Sequence, residues 1–152
     1  MTLQISAPLA GKVVSLDEVP DAVFSQRIVG PGIAIQPAID GSESRVVAPV
    51  AGKIVKFHPH AFVIMTAEGK GILVHLGLDT VQLKGEGFTL HAAEKSEVEE
   101  GQLLVTWNPK DIEEGGRRTV CPIIALDGKD AISVVADEGA DVNVGDPLVS
   151  WE

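Results

Sequence analysis

An internal duplication constrains this 152-residue chain more than any other feature. A-P-L-A-G-K-V-V at 7–14 returns as A-P-V-A-G-K-I-V at 48–55, an offset of 41 residues. V-E-E-G-Q-L-L-V-T-W at 98–107 returns as V-N-V-G-D-P-L-V-S-W at 142–151, an offset of 44. Two copies imply two related halves rather than a solenoid, which needs at least about three repeats. Each half opens with a strand after A-P-x-A-G and closes with a strand after x-x-G-x-x-L-V.

Most of the remaining chain reads as strand. The runs VAPV, KIVKF, AFVIMT, GILVHLG, FTLHA, LLVTW, VCPIIAL, ISVVA and PLVSW are rich in branched apolar residues and are separated by Gly, Pro and acidic turn residues. Many short strands at such spacing predict an all-β sandwich or barrel. Helical periodicity is scarce. Short turns are expected at DAVF, after Pro20, and at NPKDIEEG, where Asn108 caps a turn begun by Pro109. With no linker or low-complexity tract, residues 1–152 are expected to form a single domain.

Twelve basic against twenty-two acidic residues leave a formal net charge of −10. Such a surface repels phosphate backbones and argues against nucleic acid as a partner. No leader pattern is expected at the start, and no apolar run reaches the ~18–20 residues that cross a bilayer. A single cysteine, Cys121, excludes an internal disulfide and suits a reducing compartment, so the cytoplasm is the expected location.

Three of the four histidines fall in F-H-P-H-A-F-V-I-M-T-A-E-G-K-G-I-L-V-H-L-G-L-D-T, residues 57–80. AFVIMT and GILVHLG flank a turn expected near Glu68–Gly69. An even-length loop would set His60 opposite Gly77 and project His60 and His75 from one face as diagonal neighbours, with backbones about 7–8 Å apart. An odd-length loop would place them on opposite faces. Two facing imidazoles suit phosphoryl relay: a neutral imidazole is a nucleophile at pH 7, since its ordinary pKa is about 6.5. A second imidazole would hold the phosphoryl oxygens, and positioning is most of what a protein contributes to such a transfer. H-P-H at 58–60 and H-L-G-L-D at 75–79 are also spacings compatible with zinc. They resemble the ligand set of peptidoglycan-cutting zinc endopeptidases, although the order of the two motifs is reversed. Ordinary strand histidines with satisfied hydrogen bonds are the third reading.

V-H-L-G-L-D-T-V-Q-L-K-G-E-G-F, residues 74–88, resembles the phosphohistidine signature of the glucose-type enzyme IIA of the bacterial phosphotransferase system. The likeness extends over nearly the whole chain, through A-P-L-A-G-K-V-V-S-L-D-E-V-P-D-A-V-F, V-G-P-G-I-A-I-Q-P, V-A-P-V-A-G, P-H-A-F and V-G-D-P-L-V-S-W. The resemblance implies a compact antiparallel β-sandwich built from a duplicated, hammerhead-like motif. It implies that His75 is phosphorylated on Nε2 by the phosphocarrier HPr and passes the group to a cysteine of the enzyme IIB domain of a sugar permease, with no cofactor. His60 would be the supporting imidazole. Asp21 and Asp79 would steer arginines of the partners, although either could simply shape or cap a turn. Phe24, Ile28, Val29 and Val81 would form the apolar docking patch, and each is equally a candidate core residue. Regulation of other proteins is a habit of the family; no metal is expected in the chain alone, and His60 and His75 could hold a zinc ion only together with such a partner.

Four features sit outside the signature. The family often carries a hydroxyl residue two positions before the supporting histidine, where this chain has His58; exposure beside Pro59 is expected, the alternative being that His58 replaces the hydroxyl's hydrogen bond. His91 is expected at a surface or edge, Cys121 in a buried strand, and E-E-G-G-R-R at 113–118 in a solvated loop. A-P-x-A-G-K also occurs in biotinyl and lipoyl carrier domains, but no lysine here has the M-K-M or D-K-A setting of their modified residue.

Overall fold

The computed structural model describes residues 3–128 and 132–152. Its strands fall into two interleaved sets. The flanking segments contribute β1 (Leu3–Ser6), β2 (Gly11–Val14) and β3 (Gly32–Gln36) before the middle of the chain. The middle supplies β4 (Ser44–Val47), β5 (Gly52–His58), β6 (Ala61–Met65), β7 (Gly71–His75), β8 (Phe88–Leu90), β9 (Glu97–Val98) and β10 (Leu103–Trp107). The flanking set is then completed by β11 (Cys121–Ala125), β12 (Ile132–Val134), β13 (Asp141–Val142) and β14 (Pro147–Trp151). The expected runs fall on β5–β8, β10–β12 and β14, and VAPV meets β4 only at Val47, whereas β1, β3, β9 and β13 lie outside every expected run.

The duplication is realised strand by strand. One three-stranded sheet runs β1-β14-β12 and the other β4-β10-β8, in corresponding order. The eight-stranded sheet runs β13-β2-β3-β11-β7-β6-β5-β9, a palindrome of the two halves joined between β11 and β7. Gly11 pairs with Val142 as Gly52 pairs with Val98. Ala7 N–H donates to Asp146 O as Ala48 N–H donates to Gln102 O, at 2.8 and 2.9 Å. The halves are therefore nested, the middle one inserted between β3 and β11 of the other. With strand edges left at β13 and β9, the assembly is a sandwich of antiparallel sheets and not a closed barrel.

Alternation along the strands divides the apolar residues between two cores. Ile5, Ile35, Phe62, Ile72, Val74, Leu104, Trp107, Ile123 and Leu148 fill the space between the sheets. On the outer face of the large sheet, Ala34, Ile124 and Leu73 are covered by Leu16, Val19 and Phe24 from a segment that folds back over it. That segment holds a 3-10 turn at Leu16–Glu18 and the four-residue helix α1 (Ala22–Ser25). Residues Pro109–Glu114 form α2, with Pro109 in its first turn and the Asn108 side chain accepting from Lys110 N–H at 3.1 Å. Glu113 and Glu114 thus belong to a helix, and only Gly115–Arg118 remain of the expected loop. Among the described residues no helix is long and apolar enough to cross a membrane.

The two A-G-K glycines serve one purpose. A Cβ at Gly11 would collide with the carbonyl of Gln36, and one at Gly52 with the carbonyl of Met65. Each lets a strand pass close to its neighbour's backbone. Gly11→Ala and Gly52→Ala are expected to lower stability by similar amounts, about 1–3 kcal/mol each, in urea unfolding. Equality of either variant with wild type would contradict the close approach.

Candidate functional site

The site lies where β7 ends. Ala61 pairs with His75 and Met65 with Gly71, and Thr66 N–H donates to Lys70 O at 2.9 Å around a three-residue loop, Ala67–Gly69. The loop is odd, with Gly69 at φ 87°. This is the common three-residue hairpin, whose left-handed glycine restores the strand twist. His60 therefore stands opposite Leu76 rather than Gly77, the parity for which alternation alone would separate the two histidines. Their rings nevertheless meet, with centroids 5.3 Å apart and planes at 71°. His60 is not a strand residue: with Pro59 it forms the turn between β5 and β6, so its side chain is freed from the alternation. Its carbonyl still extends the ladder, accepting from Leu76 N–H at 2.7 Å.

His75 faces outward, on the side of the sheet that carries the second core. Phe24 packs against its ring, centroids 5.3 Å apart. Beyond it the chain turns sharply. Gly77 has φ 76°, and a Cβ there would lie 2.8 Å from both Arg118 O and Thr80 Cγ2. Asp79 also adopts a left-handed conformation, which short polar side chains tolerate. Buried Thr80 donates its hydroxyl to Leu76 O at 2.7 Å, and Leu78 drops into the second core. The H-L-G-L-D-T spacing is thus a loop recipe as well as a chemical one. It turns the Gly77 carbonyl onto His75 Nδ1 at 2.5 Å. A carbonyl only accepts, so the neutral ring carries its proton on Nδ1 and leaves the Nε2 lone pair free.

Both rings are held uncharged at neutral pH. Burial pushes the pKa of His75 down, and the Gly77 hydrogen bond and the carboxylates of Asp21 and Asp79 only partly oppose it. His60 is lowered to about 4, first by burial and then by repulsion from His75 and His58. His58 is exposed, as expected, but it is not idle space: its ring stacks beside His60, 5.7 Å between centroids at 23°.

Asp21 caps α1, its carboxylate accepting from Val23 N–H at 3.0 Å, so turn-shaping and charge placement coincide in one residue. Asp79 makes no side-chain capping hydrogen bond and is exposed. The expected docking patch divides. Ile28 and Val81 are 66% and 59% exposed, whereas Phe24 is only 6% exposed and is a core residue that touches His75. Val29 is half-buried against the second core. Val23, 43% exposed, belongs with Ile28 and Val81 but was not anticipated. The signal available was its place in the first turn after the cap, opposite in direction to Phe24. His91 is exposed at an edge, its Nε2 2.9 Å from Thr106 Oγ1. Cys121 is fully buried in β11, and burial pushes its thiol up to about 12. Among the described residues no three His, Cys, Asp or Glu side chains are grouped to hold a metal ion, so the H-x-H and H-x-x-x-D spacings do not converge on one.

Because its folded-state pKa lies below the ordinary 6.5, His60 binds a proton less readily in the folded than in the unfolded chain. Its protonation therefore favours unfolding as pH falls from about 6.5 to about 4. Urea titrations should show His60→Gln flattening that part of the stability profile; an unchanged slope would refute the low pKa. Cys121 should resist iodoacetamide at pH 8 until the chain is unfolded.

The chain matches the family described as phosphoenolpyruvate-dependent sugar phosphotransferase system, EIIA 1, over residues 3–131. It is 38% identical over 148 residues to the PTS system beta-glucoside-specific EIIBCA component of Halalkalibacterium halodurans, covering 96% of this chain and 23% of that protein. The chain thus spans about a quarter of the length of that relative. Glucose permease IIA from Mycoplasma capricolum superposes with a TM-score of 0.87 at 36% identity, over 100% of this chain and 97% of that one. A likeness to the SpoIIQ–SpoIIIAH pore-forming complex, 14% identical with a TM-score of 0.45 over 80% of this chain and 86% of that one, is too distant to bear on fold or function.

Proposed function

Because this chain belongs to the EIIA 1 family of the phosphoenolpyruvate-dependent sugar phosphotransferase system, we propose that it carries a phosphoryl group on His75. The donor is phosphorylated HPr and the acceptor a cysteine in the IIB domain of a sugar permease. Residues 1–152 act as one EIIA domain in the cytoplasm, and the transfer itself uses no cofactor.

The observation that carries the reading is the hydrogen bond from His75 Nδ1–H to the Gly77 carbonyl. With the tautomer set, the Nε2 lone pair attacks the phosphorus held by HPr. The new N–P bond forms as the donor's N–P bond breaks, its electron pair returning to the donor imidazole. The phosphorylated His75 ring keeps its Nδ1 proton, because the carbonyl that holds it can only accept. The ring is then an imidazolium, and attack by the IIB thiolate expels it as neutral imidazole rather than as imidazolate, a far poorer leaving group. The proton on Nδ1 never moves.

His60, uncharged at neutral pH, offers one N–H to the transferred oxygens. As a fixed neutral donor it holds the group without a cation's grip, which suits a carrier that must release what it binds. Asp21 and Asp79 attract the cationic side chains of both partners, and Val23, Ile28 and Val81 supply apolar contact around the histidine. Phe24 contributes indirectly, by fixing the His75 ring.

Incubation with phosphoenolpyruvate, enzyme I and HPr should place an acid-labile, alkali-stable label on His75, and His75→Ala should abolish it; label on another residue refutes the assignment. His60→Gln should still accept the group but slow onward transfer to IIB by about a hundredfold. Wild-type onward transfer would remove His60 from its role.

A further inference from the structure

A cleft of about 360 Å³ opens beside Asp79, between the loop after β7 and residues 115–118. Gln82, Arg117 and Arg118 line it together with Asp79, and Pro20, next to Asp21, closes one side. Arg117 donates from Nη2 to Gln82 Oε1 at 3.3 Å, while its Nε is shut off from solvent without a hydrogen-bond partner. Since water does not reach that nitrogen, an acceptor arriving from outside meets the outer guanidinium nitrogens of Arg117 and the exposed Arg118.

The charges around it sharpen the point. The chain has ten more acidic than basic residues, yet among the described residues only Arg27 and Asp17 approach within ion-pair distance. Arg117 and Arg118 share a cleft with a carboxylate and do not pair with it. Arg117 is engaged by Gln82 instead. Opposite charges kept apart in one cleft form a two-signed surface. A free phosphate entering there would meet Asp79 at close range. A protein that presents a carboxylate beside a cation would satisfy both signs at once.

The geometry points to Arg117 and Arg118 as the receptor for an acidic side chain of the docking protein, placed beside the cation that Asp79 receives. The inference rests on the carrier reading and adds a second, opposite charge contact to it. The guanidinium fork accepts a carboxylate through paired N–H donors, so the contact fixes orientation as well as attraction. Acting at the rim, it serves encounter and register rather than chemistry.

The test is phosphoryl transfer from phospho-HPr, and to the IIB domain, by the full chain carrying R117Q and R118Q together. KM should rise about three- to tenfold for at least one partner with kcat unchanged, and the dependence of the rate on salt should weaken. The R118K chain, which keeps its charge, should stay nearer wild type than the R118Q chain. Unchanged KM for both partners, or a fall confined to kcat, overturns the proposal. Inorganic phosphate titrated at millimolar concentration should give no saturating NMR shift at the amides of Gly115–Arg118. Saturation there would assign the cleft to a free anion and also overturn it. Wild-type chain that takes no label on His75 would bring down the carrier reading and this contact together; labelled His75 with unchanged KM brings down the contact alone.

Discussion

The ladder between β7 and β11 is the join on which the molecule depends. Val74 pairs with Ile123, Leu73 with Ile124 and Ile72 with Ala125, turning two four-stranded halves into one continuous sheet. Without it neither half has a partner for its inner strand, and the outer face that carries the second core would be split. The same ladder ends at the loop that follows His75. Leu78 N–H donates to Arg118 O at 3.0 Å, tying the residues after His75 to those before β11. The histidine is thus anchored across the seam between the halves, by contacts that span forty or more residues of sequence.

The scaffold is duplicated but the histidine pair is not. Leu76 N–H donates to His60 O on one side of the seam, and Ala125 N–H donates to Pro31 O in the corresponding place on the other, at 2.7 and 2.8 Å. By that correspondence Pro31 stands where His60 does and Ile124 where His75 does. Ile124 is buried in the second core beneath the segment that carries Phe24. One half keeps an open outer edge with two imidazoles; the other spends the equivalent position on packing. Two adjacent neutral rings carry a desolvation cost that an apolar residue avoids, which is the physical reason to keep such a pair in only one copy.

Strand content, both short helices and the existence of two halves were legible in the residues, because alternation and the A-P-x-A-G and G-x-x-L-V motifs are local. Their nesting was not. Nothing local in G-K-V-V says that Lys12 pairs with Asp141 rather than with a neighbour in sequence. The meeting of His60 with His75 was foreseen for a reason that failed. A-E-G-K does not reveal whether Thr66 and Lys70 close the loop, and the odd closure reverses the parity. The motif likeness names the same pair, and the turn at Pro59–His60 is what lets their rings meet. Phe24 and Ile28 looked alike as apolar residues near an aspartate, but a four-residue helix has no period from which to read its buried side.

Nesting also settles how the domain can be attached to something else. Leu3 and Trp151 are cross-strand partners in the β1–β14 pair, so the chain enters and leaves at neighbouring points. A tether joined ahead of Leu3 and one joined after Trp151 would hold the histidine edge at nearly the same orientation and reach. The effective concentration such a tether imposes depends on its length and stiffness. Here it would depend little on which end was chosen, so the order of modules in a longer polypeptide could be exchanged without redesigning the site.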